Sequence, residues 1–116
     1  MKKDFIARCT PWGTIRTGPG FRFLSPQEKA AVLAHERGHI AKRHALKRLS
    51  WVITLRALRD LDGFLQMCKA QEYEADQHAV SEGHLVGMQV FLAKRIGLPA
   101  GPGYPSARDR LEALHG

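Results

Sequence analysis

The stretch that most constrains the fold is residues 31–46, which lie in a predicted helix and carry an HExxH pattern. The pattern consists of His35, Glu36 and His39. Positions i and i+4 of a helix lie about 40° apart around its axis, so both imidazoles can bind one metal ion. Glu36 lies on the flank of that face, within reach of a water molecule at the ion. Zinc held by two imidazoles needs a third protein ligand, which the rest of the chain has to supply.

The same helix has a clear beginning and an unusual surface. Ser25 can cap it, Pro26 fits its first turn, and Glu28 completes a capping box. We expect it to extend over residues 26–48 and, because it is apolar on two sides, to lie at the centre of the molecule. One stripe would let another backbone approach closely, since it consists of Ala31, Ala34, Gly38, Ala41 and Ala45.

The remaining elements are short and separated by Gly and Pro. Before the central helix, strands are predicted at residues 5–8, 14–16 and 21–24. After it, helices are predicted at residues 51–61, 64–82 and 85–96, with a last short helix after Ser106. The predicted fold class is therefore α+β and mostly α.

The length of the chain allows one modest core. We expect a single domain over residues 1–116, with a β-ribbon at 1–24 and a helical core at 25–116.

The predicted helix at residues 64–82 offers the third ligand. Glu72 and Asp76 lie within its otherwise apolar stripe. A buried carboxylate is costly unless a cation meets it, so these acids need a positive partner. A zinc ion bound by Glu72 would provide it, and Asp76, one turn later, would accept the free ring N–H of a ligating histidine. A salt bridge to one of the basic side chains is the alternative for both acids.

These motifs together resemble the active-site region of the HtpX-like metallopeptidases, which are gluzincins related to the CaaX prenyl proteases. The resemblance begins at residues 24–28 and includes the HExxH pattern. Residues 72–76 are similar to the family's ExxAD element. It implies a minimal zincin-like domain in which His35, His39 and Glu72 bind one zinc ion, with Asp76 behind them. Larger members have transmembrane helices, so this chain is more similar to the soluble minigluzincins.

The resemblance further implies a zinc-dependent metalloendopeptidase that acts on a peptide or protein substrate. Bound zinc lowers the pKa of water and polarises the scissile carbonyl, and Glu36 would act as the general base. Tyr104 stands where the family usually has the histidine of a late His-Pro pair, and Arg110 follows it. Tyr104 and Arg110 are the two candidates for stabilising the oxyanion.

Three further side chains are weaker candidates for the site. His44 lies about 140° around the predicted helix from His39, so a surface or packing residue is expected. Cys68 precedes Glu72 by one turn, as in a deformylase-like His/His/Cys site, but a small buried hydrophobe is the simpler interpretation. Cys9 could reach the metal as an inhibitory plug.

Composition limits the cellular setting. No apolar run is long enough to span a bilayer, and two widely separated cysteines favour reduced thiols, so we expect a soluble cytoplasmic protein. The net charge is +7 and the pI is about 9.9. Such a charge favours an anionic partner, whether nucleic acid, acidic protein or lipid, or simply gives a solvated basic surface.

Two other functions compete with the peptidase. One is a latent peptidase whose cleft is covered by the ribbon or by the loop at residues 101–103. The other is a binding module for nucleic acid or an anionic membrane, with purely structural zinc. The presence of Glu36 argues against the binding module, because a closed structural zinc site has no use for a general base. The basic surface of the module would consist of Lys42, Arg43, Lys47, Arg48, Arg56 and Arg59.

Overall fold

A computed structural model describes residues 5–115; residues 1–4, where the predicted ribbon begins, and Gly116 lie outside the described residues. Two strands come first, β1 (Ala7–Cys9) and β2 (Ile15–Thr17), followed by a 3₁₀ turn (Phe21–Phe23). The helices are α1 (Pro26–Ala41), α2 (His44–Ile53), α3 (Arg56–Arg59), α4 (Leu61–Ser81), α5 (Leu85–Ala93) and α6 (Ala107–His115). The mostly helical α+β composition predicted from the sequence is confirmed.

The ribbon is a two-stranded antiparallel sheet that packs on α1. β1 pairs with β2 in a register that places Cys9 opposite Ile15. The third predicted strand, at residues 21–24, is wrong. That segment is a 3₁₀ turn, in which the N–H of Leu24 donates to the carbonyl of Phe21 at 3.1 Å. Because α1 begins immediately afterwards, the segment is too short to return to the ribbon as a strand.

The capping box predicted at the start of α1 is present. The Ser25 hydroxyl accepts the Glu28 N–H at 3.2 Å, and the Glu28 carboxylate accepts the Ser25 N–H at 3.0 Å. Glu28 is only 1% exposed and also accepts a bond from the ammonium of Lys94, just after α5, at 3.0 Å. Burial alone would raise the pKa of Glu28, but the bonds from Ser25 and Lys94 hold it below its ordinary value.

The first helix is shorter than predicted and ends at Ala41 instead of residue 48. Arg43 adopts the left-handed conformation, with φ of 56°, and α2 begins at the next residue, His44. Glycine adopts that conformation far more readily than arginine, so the residue type did not indicate a break. The consequence is that α2 leaves the line of α1 instead of extending it.

The small residues of α1 allow two helices to approach closely, as predicted. A Cβ atom on Gly38 would lie 2.8 Å from the Cβ of His78 and 3.0 Å from the Cα of Ala75, both in α4. Ala31 meets α5, where a Cβ on Gly87 would come within 2.9 Å of its side chain. This packing places the histidines of α1 directly opposite the acids of α4.

The core lies mainly between α1, α4 and α5. Its buried members are Leu24, Ala31, Val32, Ala34, Ala79, Met88, Phe91 and Leu92. By contrast, α2 buries only His44, and α3 buries no residue. Across residues 5–115, no helix combines the length and the apolar character needed to cross a membrane.

The lowered pKa of Glu28 makes the stability of the fold pH-dependent. A carboxylate whose pKa is depressed by folding stabilises the native state above its unfolded value of 4.5, and this contribution disappears as pH falls through the folded value. We therefore expect Glu28→Gln to unfold at lower urea concentration than the parent at pH 7, with the difference shrinking below about pH 4. Urea titrations at several pH values measure this. A difference that grows on acidification would contradict the assignment.

Candidate metal centre

Three potential ligand atoms from α1 and α4 converge at one point. The Nε2 atoms of His35 and His39 lie 3.1 Å apart, and the Glu72 carboxylate oxygens lie 3.2 Å and 3.1 Å from them, respectively. All three residues are buried. The HExxH spacing supplies the two imidazoles on one face of α1, and the close packing at Gly38 brings α4 near enough for Glu72 to join them. Within the described residues, this is the only such cluster of three.

The spacing fits a tetrahedral cation. Ligands bonded to zinc at about 2.0–2.1 Å lie about 3.3 Å from one another, close to the separations between His35, His39 and Glu72. A donor set of two imidazoles and one carboxylate is also characteristic of catalytic zinc, which keeps a fourth position for water or substrate. The three residues therefore fit one zinc ion.

Asp76 prepares His35 to be a ligand. Its Oδ1 accepts a hydrogen bond from Nδ1 of His35 at 2.7 Å, which leaves a lone pair on Nε2. Arg110, from α6, donates to both oxygens of Asp76 in turn, at 2.9 Å and 2.7 Å. Asp76 thus lies beside His35 and forms the salt bridge that the sequence left open as its alternative, and its role behind a metal ligand stays a prediction.

His44 orients His39 in the same way; it is not among the ligands, as expected, but it lies beside His39 instead of about 140° around one helix from it. His44 is 1% exposed, and its Nε2 lies 3.0 Å from the Glu74 carboxylate. Its Nδ1 must then accept, so His39 donates Nδ1–H across 2.8 Å and keeps a lone pair on Nε2. The prediction of a surface or packing residue assumed a continuous helix. The left-handed turn at Arg43 instead returns His44 to the side of His39.

Arg48, expected on a basic surface, instead lies at the centre. Its guanidinium is 3.1 Å from Oε2 of Glu72 and 2.6 Å from Oε1 of Gln71. Arg48 therefore both orients the Glu72 carboxylate and balances its charge. The only sequence signal for it was its position about one turn after His44, which becomes informative once α2 is known to begin there.

Electrostatics at the centre favour a cation between the ligands. Burial would lower the pKa of His35, but hydrogen bonds to Asp76 and Glu72 outweigh it and raise the pKa to about 9. Burial would raise the pKa of Glu72, but His35 and His39 hold it far below its ordinary range. Both shifts have the same cause, the close approach of carboxylates to imidazoles at this point.

Glu36 lies beside the ligands without joining them. It is buried, and its Oε2 is 3.9 Å from Nε2 of His35. Burial raises the pKa of Glu36, an effect that the neighbouring His35 and His39 only partly offset. A carboxylate with a raised pKa beside an open metal position is suited to accept and return a proton.

The centre opens into a cavity of about 440 Å³. Val32, Met88 and Phe91 form an apolar wall, and Tyr104 and Arg110 also line the cavity. Tyr104 is 48% exposed, and burial of its remainder raises its pKa. Both candidates for the oxyanion donor therefore border this cavity.

Neither cysteine belongs to the group of ligands. Cys9 lines the cavity from β1, and burial raises its pKa to about 11, which disfavours the thiolate that a metal needs. Cys68 is buried, and its backbone carbonyl accepts a bond from Arg48. This position agrees with the simpler interpretation of Cys68 as a small buried hydrophobe.

The bond from His39 to His44 predicts an effect on metal affinity. His44→Ala would leave the Nδ1–H of His39 without its acceptor, and loss of such a group typically weakens metal binding by about 10–100-fold. Competition with a chromogenic chelator measures the affinity. His84→Ala, at the start of α5 and without a capping bond, is the matched control and should bind like the parent. Equal affinity of all three proteins would remove His44 from the centre.

Comparison with known proteins finds one family whose model matches part of the chain. The model of Peptidase family M48 matches residues 21–61, about a third of the chain. The match includes the HExxH pattern, whereas Glu72 and Asp76 lie beyond it. No curated protein and no solved structure matches the chain significantly. The match supports a relation to the M48 metallopeptidases, and the narrower resemblance to HtpX-like, CaaX-type and minigluzincin forms stays a prediction.

Proposed function

We propose that this protein is a zinc-dependent metalloendopeptidase built on a minimal zincin-like domain, of the HtpX-like, minigluzincin type. The observation that carries the proposal is the convergence of His35, His39 and Glu72 on one point, with Glu36 beside them at the wall of a cavity. The match to Peptidase family M48 supports the same class of reaction. Residues 25–116 would form the catalytic core, and the ribbon contributes to the cavity through β1.

Each residue of the centre has a separate task in this proposal. His35, His39 and Glu72 hold the zinc ion, which when bound supplies Lewis-acid activation of water and of the scissile carbonyl. Glu36 accepts a proton from the attacking water and donates it to the leaving amine. Asp76 holds His35 in the tautomer that keeps Nε2 free.

Tyr104 is the stronger candidate for stabilising the oxyanion. Arg110 uses its Nε and Nη2 atoms on Asp76, so its main task is to hold that carboxylate. The Tyr104 hydroxyl accepts from Arg48, which leaves its own hydrogen free to donate to a developing negative charge. We therefore assign the donor to Tyr104 and a positioning function to Arg110.

The competing functions fit the geometry less well. A structural zinc site takes four protein ligands, whereas the group found in residues 5–115 supplies three beside a carboxylate and a cavity. A latent peptidase would need a segment of the chain that covers the ligands. Instead, a cavity of about 440 Å³ lies beside them. We further propose a reducing compartment such as the cytoplasm, because Cys9 and Cys68 are unpaired.

The general base is tested by Glu36→Gln. The variant should keep one zinc per chain, because Glu36 is not a ligand, and should lose at least about a hundredfold in peptide turnover, because no group remains to take the proton. Metal analysis and cleavage of an unfolded protein or a quenched peptide library measure the two quantities. Glu112→Gln, an exposed change of the same kind in α6, should behave like the parent. Turnover by Glu36→Gln equal to the parent's would end the peptidase proposal.

The third ligand is tested by Glu72→Ala. Loss of a direct ligand should weaken zinc binding by more than the roughly hundredfold typical for a group behind a ligand. Metal content after dialysis against a weak chelator provides the measurement. Glu82→Ala, just beyond the end of α4, serves as the control. Retention of stoichiometric zinc by Glu72→Ala would exclude Glu72 from the site.

A further inference from the structure

The positive charge of this protein is concentrated in one segment, residues 37–59. These residues contain seven Lys and Arg and neither Asp nor Glu. The rest of the chain has eleven Lys and Arg against eleven Asp and Glu. The whole net charge of +7 therefore resides in a segment that spans the end of α1, α2 and α3.

Most of this charge is available to a partner. Arg37 pairs with Glu82 at 2.6 Å, and Arg48 is committed to Glu72. The other five basic side chains are exposed and, among the described residues, form no ion pair with an acid. They are Lys42, Arg43, Lys47, Arg56 and Arg59.

Large aliphatic side chains project from the end of this segment and from the first residue of α4. We refer to Val52, Ile53, Leu55, Leu58 and Leu61 as the apolar tip; their exposed fractions are 54%, 70%, 62%, 83% and 58%. Five such side chains within ten residues are far more than the scattered single hydrophobes of an ordinary surface. An exposed apolar patch bordered by charge marks a binding surface.

In the turn between α2 and α3, Leu55 is exposed although its backbone is strained. Leu55 adopts the left-handed conformation, with φ of 62°, which glycine accepts readily and leucine does not. Leu55 is nevertheless 62% exposed, so packing within the described chain offsets little of the free-energy cost of the strained backbone. A leucine in this position makes sense if its side chain packs against something else.

We propose that α2 and α3 dock on an anionic lipid surface, with the apolar tip among the acyl chains and the five free basic side chains at the phosphates. Amphipathic helices that carry Lys and Arg beside aliphatic residues bind membranes in this way. A second copy of the chain is disfavoured, because two such segments would repel each other. Nucleic acid is also disfavoured, because aliphatic side chains neither stack on bases nor hydrogen-bond to them.

Vesicle co-sedimentation of the full chain tests the proposal. Vesicles of phosphatidylcholine with about one-third phosphatidylglycerol should retain the protein, and pure phosphatidylcholine should not, because each basic side chain near an anionic surface contributes about fivefold in affinity. Raising the salt from about 0.1 M to about 0.5 M should release it, since the Debye length falls to roughly 4 Å.

Paired variants separate the contributions of the basic and the aliphatic side chains to vesicle binding. Lys47→Gln with Arg59→Gln should weaken binding about 25-fold, at about fivefold for each charge. Ile53→Ser with Leu58→Ser should weaken it at least about tenfold without loss of the fold, because both side chains are already mostly exposed. Val86→Ser with Leu98→Ser removes exposed aliphatic residues outside the segment and should bind like the parent.

Fluorescence gives an independent readout. The chain has two tryptophans, Trp12 and Trp51, and Trp51 lies in α2 under the guanidinium of Arg56. In a Trp12→Phe background, anionic vesicles should therefore shift the remaining emission to the blue. Glu36→Gln should bind vesicles like the parent, so docking is separable from the proposed peptidase activity.

Several results would overturn the proposal. The first is that anionic vesicles do not retain the protein. The second is that Ile53→Ser with Leu58→Ser leaves the retention unchanged. The third is that random duplex or single-stranded DNA binds the protein more tightly than vesicles do. Self-association that these changes abolish, without vesicle binding, would also overturn it by identifying the tip as a contact between copies.

Discussion

The structure depends on one electrostatic requirement, the need of the buried Glu72 carboxylate for positive charge. Glu72 is 4% exposed and faces two imidazole nitrogens whose lone pairs point at the same spot. Three acceptors cannot remain at about 3.1 Å without a proton or a cation among them. The packing of α1 on α4 and the turn into α2 both serve this arrangement. The packing of α1 on α4 brings the ligands together, and the turn into α2 supplies groups that lie behind them.

Periodicity explains why most residues of the centre could be named from the sequence and two, His44 and Arg48, could not be placed. His35, Glu36 and His39 follow from i, i+4 spacing, and Glu72 stood out as an acid in an apolar stripe, so the sequence was sufficient for them. His44 and Arg48 depend on where α1 stops, and an arginine in the left-handed conformation has no signature in residue type. The third strand failed for a similar reason, because alternation at residues 21–24 could not show that α1 begins too soon afterwards.

The second helix links the candidate centre to the surface. Its first residue, His44, lies beside a ligand, Arg48 holds Glu72 from the next turn, and its last turn reaches the apolar tip. Because α2 contributes only one buried residue, few core contacts hold it. Anything that fixes the far end of α2 would also restrict the motion of the groups that orient two of the three ligands.

Charge balance explains how so small a fold can accommodate so many acids. The buried carboxylates at the centre are Glu36, Glu72 and Asp76, and the cations that balance them are Arg48 and Arg110. One negative charge is left over, and hydrogen bonds to Asp76 and Glu72 raise the pKa of His35, so its imidazole can hold a balancing proton. A divalent cation in place of that proton would change the balance from neutral to one net positive charge. An electropositive centre stabilises the negative charge that develops on a carbonyl oxygen under attack, so the arginines that hold the carboxylates in place also prepare the site for that chemistry.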